Sequence, residues 1–93
     1  MAYKDPAMTI DRFLRSARWT EARLALEVRK TAPDLSTSQA TIHRLRRRGQ
    51  KASAEVAIAI ELATDGKVRA EEVPMARVTR WAFAQLRSRR PAA

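Results

Sequence analysis

Residues 36–51 read STSQATIHRLRRRGQK, and the helix that this stretch predicts decides how the rest of the chain is interpreted. The stretch carries five Lys or Arg residues and no acid, and its apolar side chains recur at helical spacing. Ser36 or Ser38 can cap the helix, because a Ser hydroxyl accepts a hydrogen bond from an unpaired amide of the first turn. We expect the helix to run to about Arg48 and to end at Gly49, where a left-handed backbone is easily adopted.

Length and composition predict one small helical domain around this stretch. The chain has 93 residues, of which 45% are apolar, with two Gly and four Pro. A chain of this length has room for one modest core, so residues 1–93 are expected to form a single domain. The predicted fold class is all-α: a compact helix-turn-helix domain of about five helices, with an extended loop between helices 2 and 3 and an extra C-terminal helix.

Capping residues and prolines place the other helices. Thr9, Thr20 and Ser53 each precede apolar residues at helical spacing, so they predict the starts of the first, second and fourth helices. Pro33 is expected to end the second helix after about Lys30, because proline has no amide hydrogen to donate. The predicted boundaries are an extended loop over residues 30–36, a helix-turn-helix core over residues 9–73, a last helix over residues 74–90 with Pro74 in its first turn, and a disordered tail over residues 91–93.

The fourth helix is apolar on two sides. Ile60 belongs to one apolar stripe, whereas Ile58 and Leu62 form a second. This pattern predicts a central helix that is covered on both sides.

Positive charge is abundant and unevenly distributed. Lys and Arg number 19 against 10 Asp and Glu, which gives a net charge of +9 and a pI near 11.4. Residues 35–53 contribute five cations and no anion, whereas acids outnumber bases in residues 54–73. These cations could simply stabilise the C-terminal end of the helix, where the helix dipole favours positive charge. Arginines without a nearby acid repel one another, however, and a polyanion would relieve that repulsion. Nucleic acid is therefore the expected partner.

The second and third helices have the layout of a helix-turn-helix motif. The small residue Ala25 lies where the two helices are expected to cross, and Ile42 and Leu45 are the apolar anchors of the third helix. These features are informative only in combination, because each of them is common in helical proteins.

Residues 54–73 read AEVAIAIELATDGKVRAEEV and carry a more specific motif. Together with SQATIHRL at 38–45, they resemble the Cro-like, YdaS-type family of phage and prophage helix-turn-helix regulators. The resemblance covers about residues 9–73. The chain departs from the family pattern by an insertion of about seven residues in the loop between helices 2 and 3, where the family has a tight turn, and by its longer C-terminal segment.

The resemblance implies a sequence-specific, double-stranded DNA-binding transcriptional regulator, most simply a repressor, with helix 36–48 in the major groove. In that orientation Gln39 can bind adenine, and Arg44 or Arg47 can reach guanine. The implied base-contacting residues are Gln39, Ala40, His43, Arg44 and Arg47. The implied phosphate-contacting residues are Lys30, Thr37, Ser38, Arg46, Arg48, Lys51 and Ser53.

Apolar residues of the C-terminal segment have two interpretations. Val78, Trp81, Phe83 and Leu86 either cover the fourth helix as ordinary core or form the interface of a homodimer. A homodimer would suit a palindromic operator with half-sites about 34 Å apart, and we favour it slightly.

Other functions remain open at this point. A sequence-indifferent architectural or nucleoid protein would use the same charge to coat DNA, although outward Gln39, Ala40 and Arg44 argue against it. An antitoxin-like autoregulator would bind a protein partner through Trp81 and Phe83. Activation by contact with polymerase is equally compatible with the sequence.

Composition argues against catalysis, cofactors and membrane insertion. The chain has no Cys and one His, so it lacks thiol chemistry and a metal-binding cluster, and His43 has no catalytic partner in its helical neighbourhood. No apolar run approaches the roughly 20 residues that span a bilayer, and the N-terminus has no signal-peptide core. We therefore expect a cytoplasmic protein that is no enzyme and needs no cofactor or metal.

Overall fold

Five α-helices account for most of residues 8–89, the part of the chain that the computed structural model describes, with side chains through Leu86. They are α1 (Ile10–Ala17), α2 (Glu21–Thr31), α3 (Gln39–Arg47), α4 (Ala54–Ala63) and α5 (Arg77–Arg89). Two 3₁₀ turns, Pro33–Leu35 and Ala70–Glu72, lie in the connections. Because residues 8–89 contain no β-strand, the all-α prediction is confirmed. The disordered tail predicted at 91–93 lies outside the described residues.

The first four helices begin at Ser or Thr caps. The side chains of Thr9, Thr20, Ser38 and Ser53 each accept a hydrogen bond from the amide three residues later, at 3.0 to 3.3 Å. Ser38 rather than Ser36 caps α3, because Ser36 ends the preceding 3₁₀ turn with a left-handed backbone. Local capping chemistry thus fixes where these helices start.

Helix α2 is the centre of the fold, because it packs against both α3 and α4. Ala25 of α2 is fully buried, as the predicted helix crossing requires, and Ile42 and Leu45 are the buried residues of α3. The segment after α4 adds further apolar side chains. The complete buried core of the described residues comprises Ile10, Phe13, Leu14, Leu24, Ala25, Val28, Ile42, Leu45, Ala57, Ala59, Ile60, Val68, Ala70, Val73 and Met75.

Helix α4 differs from its prediction, because only one of its two apolar sides is covered. Ile60 is fully buried, whereas Ile58 is 43% exposed and Leu62 is 63% exposed. The second apolar stripe is therefore a surface of the described chain rather than part of its core.

The C-terminal helix starts later than predicted. Pro74 was expected in its first turn, but α5 begins at Arg77. The reason is a long-range contact: the Ala52 amide donates to the Pro74 carbonyl at 2.7 Å, and Ala52 pairs with Met75 in an isolated parallel bridge. This pairing holds Pro74 and Met75 extended.

Aromatic contacts fix the turn between α1 and α2. The ring of Trp19 packs edge-on against Phe13, with centroids 5.2 Å apart. The guanidinium of Arg23, in α2, lies 4.5 Å from the centroid of the same Trp19 ring, at the distance of a cation–π contact. Glu21, the first residue of α2, lies between Trp19 and Arg23 in the sequence and contacts α3.

None of the helices within residues 8–89 has the length and apolar character that crossing a membrane would require.

Candidate nucleic-acid interface

The outward face of α3 presents all five residues that were predicted to contact bases. Ile42 and Leu45 anchor the opposite face in the core, so the helix has one buried side and one exposed side. Part of the exposed side forms an open depression, together with Arg48 and the edge of Glu21. The exposed residues are Gln39, Ala40, His43, Arg44 and Arg47.

Three arginines at this face have no ion-pair partner within the described residues. Arg44, Arg47 and Arg48 are exposed and form no salt bridge there, although Arg15, Arg23, Lys30 and Arg46 all pair with acids. The one acid that lines the depression, Glu21, is paired with Arg46, so the α3 face of the described structure keeps an excess of positive charge that a polyanion can neutralise.

Arg46 has a role that the sequence did not reveal. Its Nε donates to Asp11 Oδ1 at 2.7 Å and its Nη1 donates to Glu21 Oε2 at 3.2 Å. The Arg46 side chain is only 15% exposed. We predicted Arg46 as a phosphate contact, and this arrangement corrects that assignment: the guanidinium ties α3 to α1 and to the start of α2.

Charge pairing shifts the pKa values of both partners in the Asp11–Arg46 contact. The hydrogen bond from Arg46 is the main reason that the pKa of Asp11 lies below its ordinary value. Burial raises this pKa by less than the hydrogen bond lowers it, and the charge of Arg15 lowers it further. The same hydrogen bond, and a second one to Glu21, raise the pKa of Arg46. The pair is therefore ionised in the folded protein, and its geometry fixes how α3 presents its outer face.

His43 also has an acidic neighbour that the sequence did not predict. Its Nδ1 lies 3.2 Å from Glu21 Oε1 and 3.3 Å from Glu21 Oε2. None of the helical neighbours of His43 is a carboxylate, so the sequence alone predicts no acidic partner for this ring. Glu21 is 22 positions away in sequence, and no local pattern distinguishes it from other acids in a first helical turn.

The loop that leads into α3 is fastened to α2. Arg29 Nη1 donates to the Thr37 carbonyl at 2.9 Å. Thr37 is 2% exposed, and its hydroxyl oxygen is buried without a hydrogen-bond partner in the described structure. Thr37 was predicted to contact phosphate; its burial contradicts this, because the side chain cannot reach a ligand on the surface.

The other predicted phosphate contacts are accessible. Ser38, Arg48, Lys51 and Ser53 are exposed around α3 and the start of α4. Lys30 is exposed as well, although its Nζ lies 3.6 Å from a Glu27 carboxylate oxygen. Their positions leave a phosphate role open for each of these residues.

The predicted dimer residues separate into two groups on α5. Phe83 is partly buried and packs against the core, whereas Val78, Trp81 and Leu86 are 71%, 63% and 66% exposed. Phe83 therefore attaches α5 to the domain, and the other three residues form an apolar surface with no partner in the described chain.

Metal binding finds no support in this part of the molecule. Across residues 8–89, no group of three or more His, Cys, Asp or Glu side chains is placed to hold a metal ion.

Comparisons with protein-family models, with curated proteins and with solved structures find no match to this chain. The resemblance to Cro-like regulators thus rests on the motifs in residues 9–73, and membership of that family stays a prediction.

Proposed function

We propose that the chain is a sequence-specific, double-stranded DNA-binding transcriptional regulator that reads the major groove with α3. The observation that carries the proposal is the outward face of α3, where arginines without an ion-pair partner in residues 8–89 lie beside residues that can bind base edges. A helix of this width fits the major groove, whose base edges carry a distinct pattern of donors and acceptors for each base pair.

Each exposed residue of α3 has a chemical role in this proposal. Gln39 can form paired hydrogen bonds with adenine, Ala40 can contact a thymine methyl group, and Arg44 or Arg47 can donate to guanine O6 and N7. Arg48 and Lys51 would bind the phosphate backbone, which positions the protein without reading sequence. Repression follows most simply, because a protein bound across a promoter excludes polymerase.

We propose in addition that two copies bind a palindromic operator as a homodimer. The exposed apolar residues of α5 support a protein interface, because burying an exposed apolar patch against another protein removes that patch from water. Exposed Ile58 and Leu62 lie in the acidic segment 54–73, so α5, which is rich in arginine, has a complementary surface on a second copy. Such a regulator would act in the bacterial cytoplasm or nucleoid, without a cofactor and without catalysis.

An in vitro selection tests the proposal directly. Purified protein would be incubated with a random 30-base-pair library at about physiological salt, and the retained DNA would be sequenced. We expect an enriched palindromic motif with half-sites about one helical turn apart. Tight, salt-sensitive retention without a motif would instead indicate an architectural protein, and failure to retain DNA would contradict the proposal.

A stoichiometric protein that co-purifies with the chain from its native cell would favour the antitoxin-like alternative. In that case the same selection would still detect DNA binding, because autoregulation also requires an operator.

A further inference from the structure

The Glu21 carboxylate is held in place directly beneath the reading face. Glu21 is the first residue of α2, where a negative charge is stabilised by the helix dipole, and Arg46 donates to one of its oxygens. Its side chain is 14% exposed, against 50% for the His43 side chain that it contacts. The acid is thus a fixed, largely covered group, and the imidazole is the more exposed partner.

The contact determines which nitrogen of His43 carries a proton. An ionised carboxylate can only accept hydrogen bonds, so Nδ1 must donate if it lies 3.2 to 3.3 Å from both Glu21 oxygens. In a neutral imidazole the other nitrogen, Nε2, then has a free lone pair. Because the two nitrogens point to opposite sides of the ring, Nε2 is directed away from Glu21.

We infer that Glu21 is a positioning residue, which fixes the Nδ1-protonated tautomer of His43 and makes Nε2 a hydrogen-bond acceptor on the outer face of α3. The consequence for DNA rests on the proposed function. An acceptor at this position selects an exocyclic amine in the major groove, which adenine carries at N6 and cytosine at N4. It disfavours guanine and thymine, whose major-groove edges present acceptors.

This acceptor complements the rest of the surface. Arg44 and Arg47 can only donate, and so they select guanine. Without a fixed tautomer, His43 could present either a donor or an acceptor, and it would discriminate poorly between bases. Glu21 therefore converts an ambiguous side chain into a specific reader, much as the outer partner of a metal-bound histidine fixes its tautomer.

The tautomer can be measured without DNA, because His43 is the only histidine of the chain. Long-range ¹H–¹⁵N NMR spectra of the full-length protein, recorded on the alkaline side of the imidazole titration, distinguish the protonated nitrogen by its chemical shift. We expect the proton on Nδ1. A proton on Nε2 would overturn the inference, and this measurement on the unaltered protein needs no variant that might fail to fold.

A matched pair of variants tests the role of Glu21. In Glu21→Ala we expect the His43 signals to shift towards the Nε2-protonated form. Glu27→Ala removes a carboxylate from the same helix that pairs with Arg23 and Lys30 and not with His43, so it should leave the His43 signals unchanged. An equal shift in both variants would show that Glu21 acts only through general charge or stability.

DNA selection then tests base reading. The wild type is expected to prefer an amine-bearing base at one position by roughly 2- to 10-fold, the worth of one hydrogen bond, and the sequenced motif will show whether adenine or cytosine supplies it. Glu21→Ala and His43→Ala should each abolish this preference, and the double variant should lose no more. Persistence of the preference in Glu21→Ala would refute the positioning role. Absence of DNA binding by the wild type would refute the proposed function and the reading role, while the NMR result would still decide the tautomer.

Discussion

Two arginines on one helix have opposite roles in this structure. Arg46 is ion-paired with Asp11 and Glu21 and is largely covered, whereas Arg44 is exposed and has no ion-pair partner in the described chain. The first stabilises the arrangement of three helices, and the second is available to a ligand. Counting basic residues in the sequence does not separate these roles, because the acids that bind Arg46 lie 35 and 25 positions away.

Replacement of Arg44 by Ala is expected to remove the preference for guanine at one position of the selected motif. A paired contact from arginine to guanine contributes about 1–3 kcal/mol of discrimination, so that position should become degenerate while the others remain. Arg12→Ala is the matched control, because Arg12 is exposed on α1 and its loss changes the net charge equally. Equal weakening by both variants, with the motif unchanged, would show that Arg44 binds only through charge.

The Asp11–Arg46 pair makes stability dependent on pH. Arg46 lowers the pKa of folded Asp11, so ionised Asp11 contributes stability that is fully present above its unfolded pKa and is lost as the pH falls through the lower folded pKa. We expect Asp11→Asn to lower the thermal midpoint near neutral pH, and the difference from wild type to disappear in acid. Circular dichroism melts over a pH series would measure this. A difference that is constant at every pH would exclude the ion pair as its cause.

Short-range chemistry explains most of what was predictable about the elements. Thr9, Thr20 and Ser53 act as caps, and Pro33 follows the end of α2 as expected, because each depends on neighbours within one helical turn. The predicted start of α5 was wrong, because the Ala52 amide donates to the Pro74 carbonyl and holds Pro74 extended. The two residues are 22 positions apart in the sequence. Local preference had favoured a helix there, and a tertiary hydrogen bond overrode it.

At the candidate interface, too, local features were predictable and contacts between helices were not. The exposed side of α3 was predictable, because Ile42 and Leu45 fix which side is buried. The roles of Glu21 and Thr37 were not, because one depends on the packing of α2 against α3 and the other on a loop whose path the sequence does not specify. Helical periodicity gives the direction of a side chain, but it does not give its partners on another helix.

Gly49 ends the α3 region and has a left-handed backbone, with φ of 63°. An added Cβ would meet no atom within 4 Å, so the effect of Gly49→Ala is purely conformational. We expect a loss of about 1 kcal/mol of unfolding free energy, measured by urea denaturation. Gln50→Ala, at the next position, is the control and should change little. If Gly49→Ala were as stable as wild type, the left-handed conformation at residue 49 would be in error.

The charge distribution of the whole molecule predicts a strong dependence of DNA affinity on salt. Residues 35–53 carry five cations and no acid. Four of these cations, Arg44, Arg47, Arg48 and Lys51, are exposed at the proposed interface, and each phosphate contact adds about −0.9 to the slope of log K against log salt concentration. Arg48→Ala should therefore reduce the magnitude of the slope by about 0.9 per bound protomer while leaving the motif unchanged. Fluorescence anisotropy over a salt series would measure it. An unaltered slope would remove Arg48 from the phosphate contacts.

The exposed apolar residues on α4 and α5 form the surface through which we propose that the molecule dimerises. Trp81 and Leu62 are each 63% exposed, on the basic and acidic sides of the proposed interface between copies. Since aromatic residues contribute much of the affinity at such interfaces, Trp81→Ser should weaken dimerisation by about 10-fold or more in sedimentation experiments.

Leu62→Ser should weaken dimerisation as well, because α5 of one copy is proposed to cover α4 of the other. Leu26→Ser is the control, since Leu26 is an exposed leucine on α2 rather than on α4 or α5. Sensitivity to Trp81 alone would indicate an α5–α5 contact instead. A wild-type chain that sediments as a monomer both free and on DNA would rule out the homodimer.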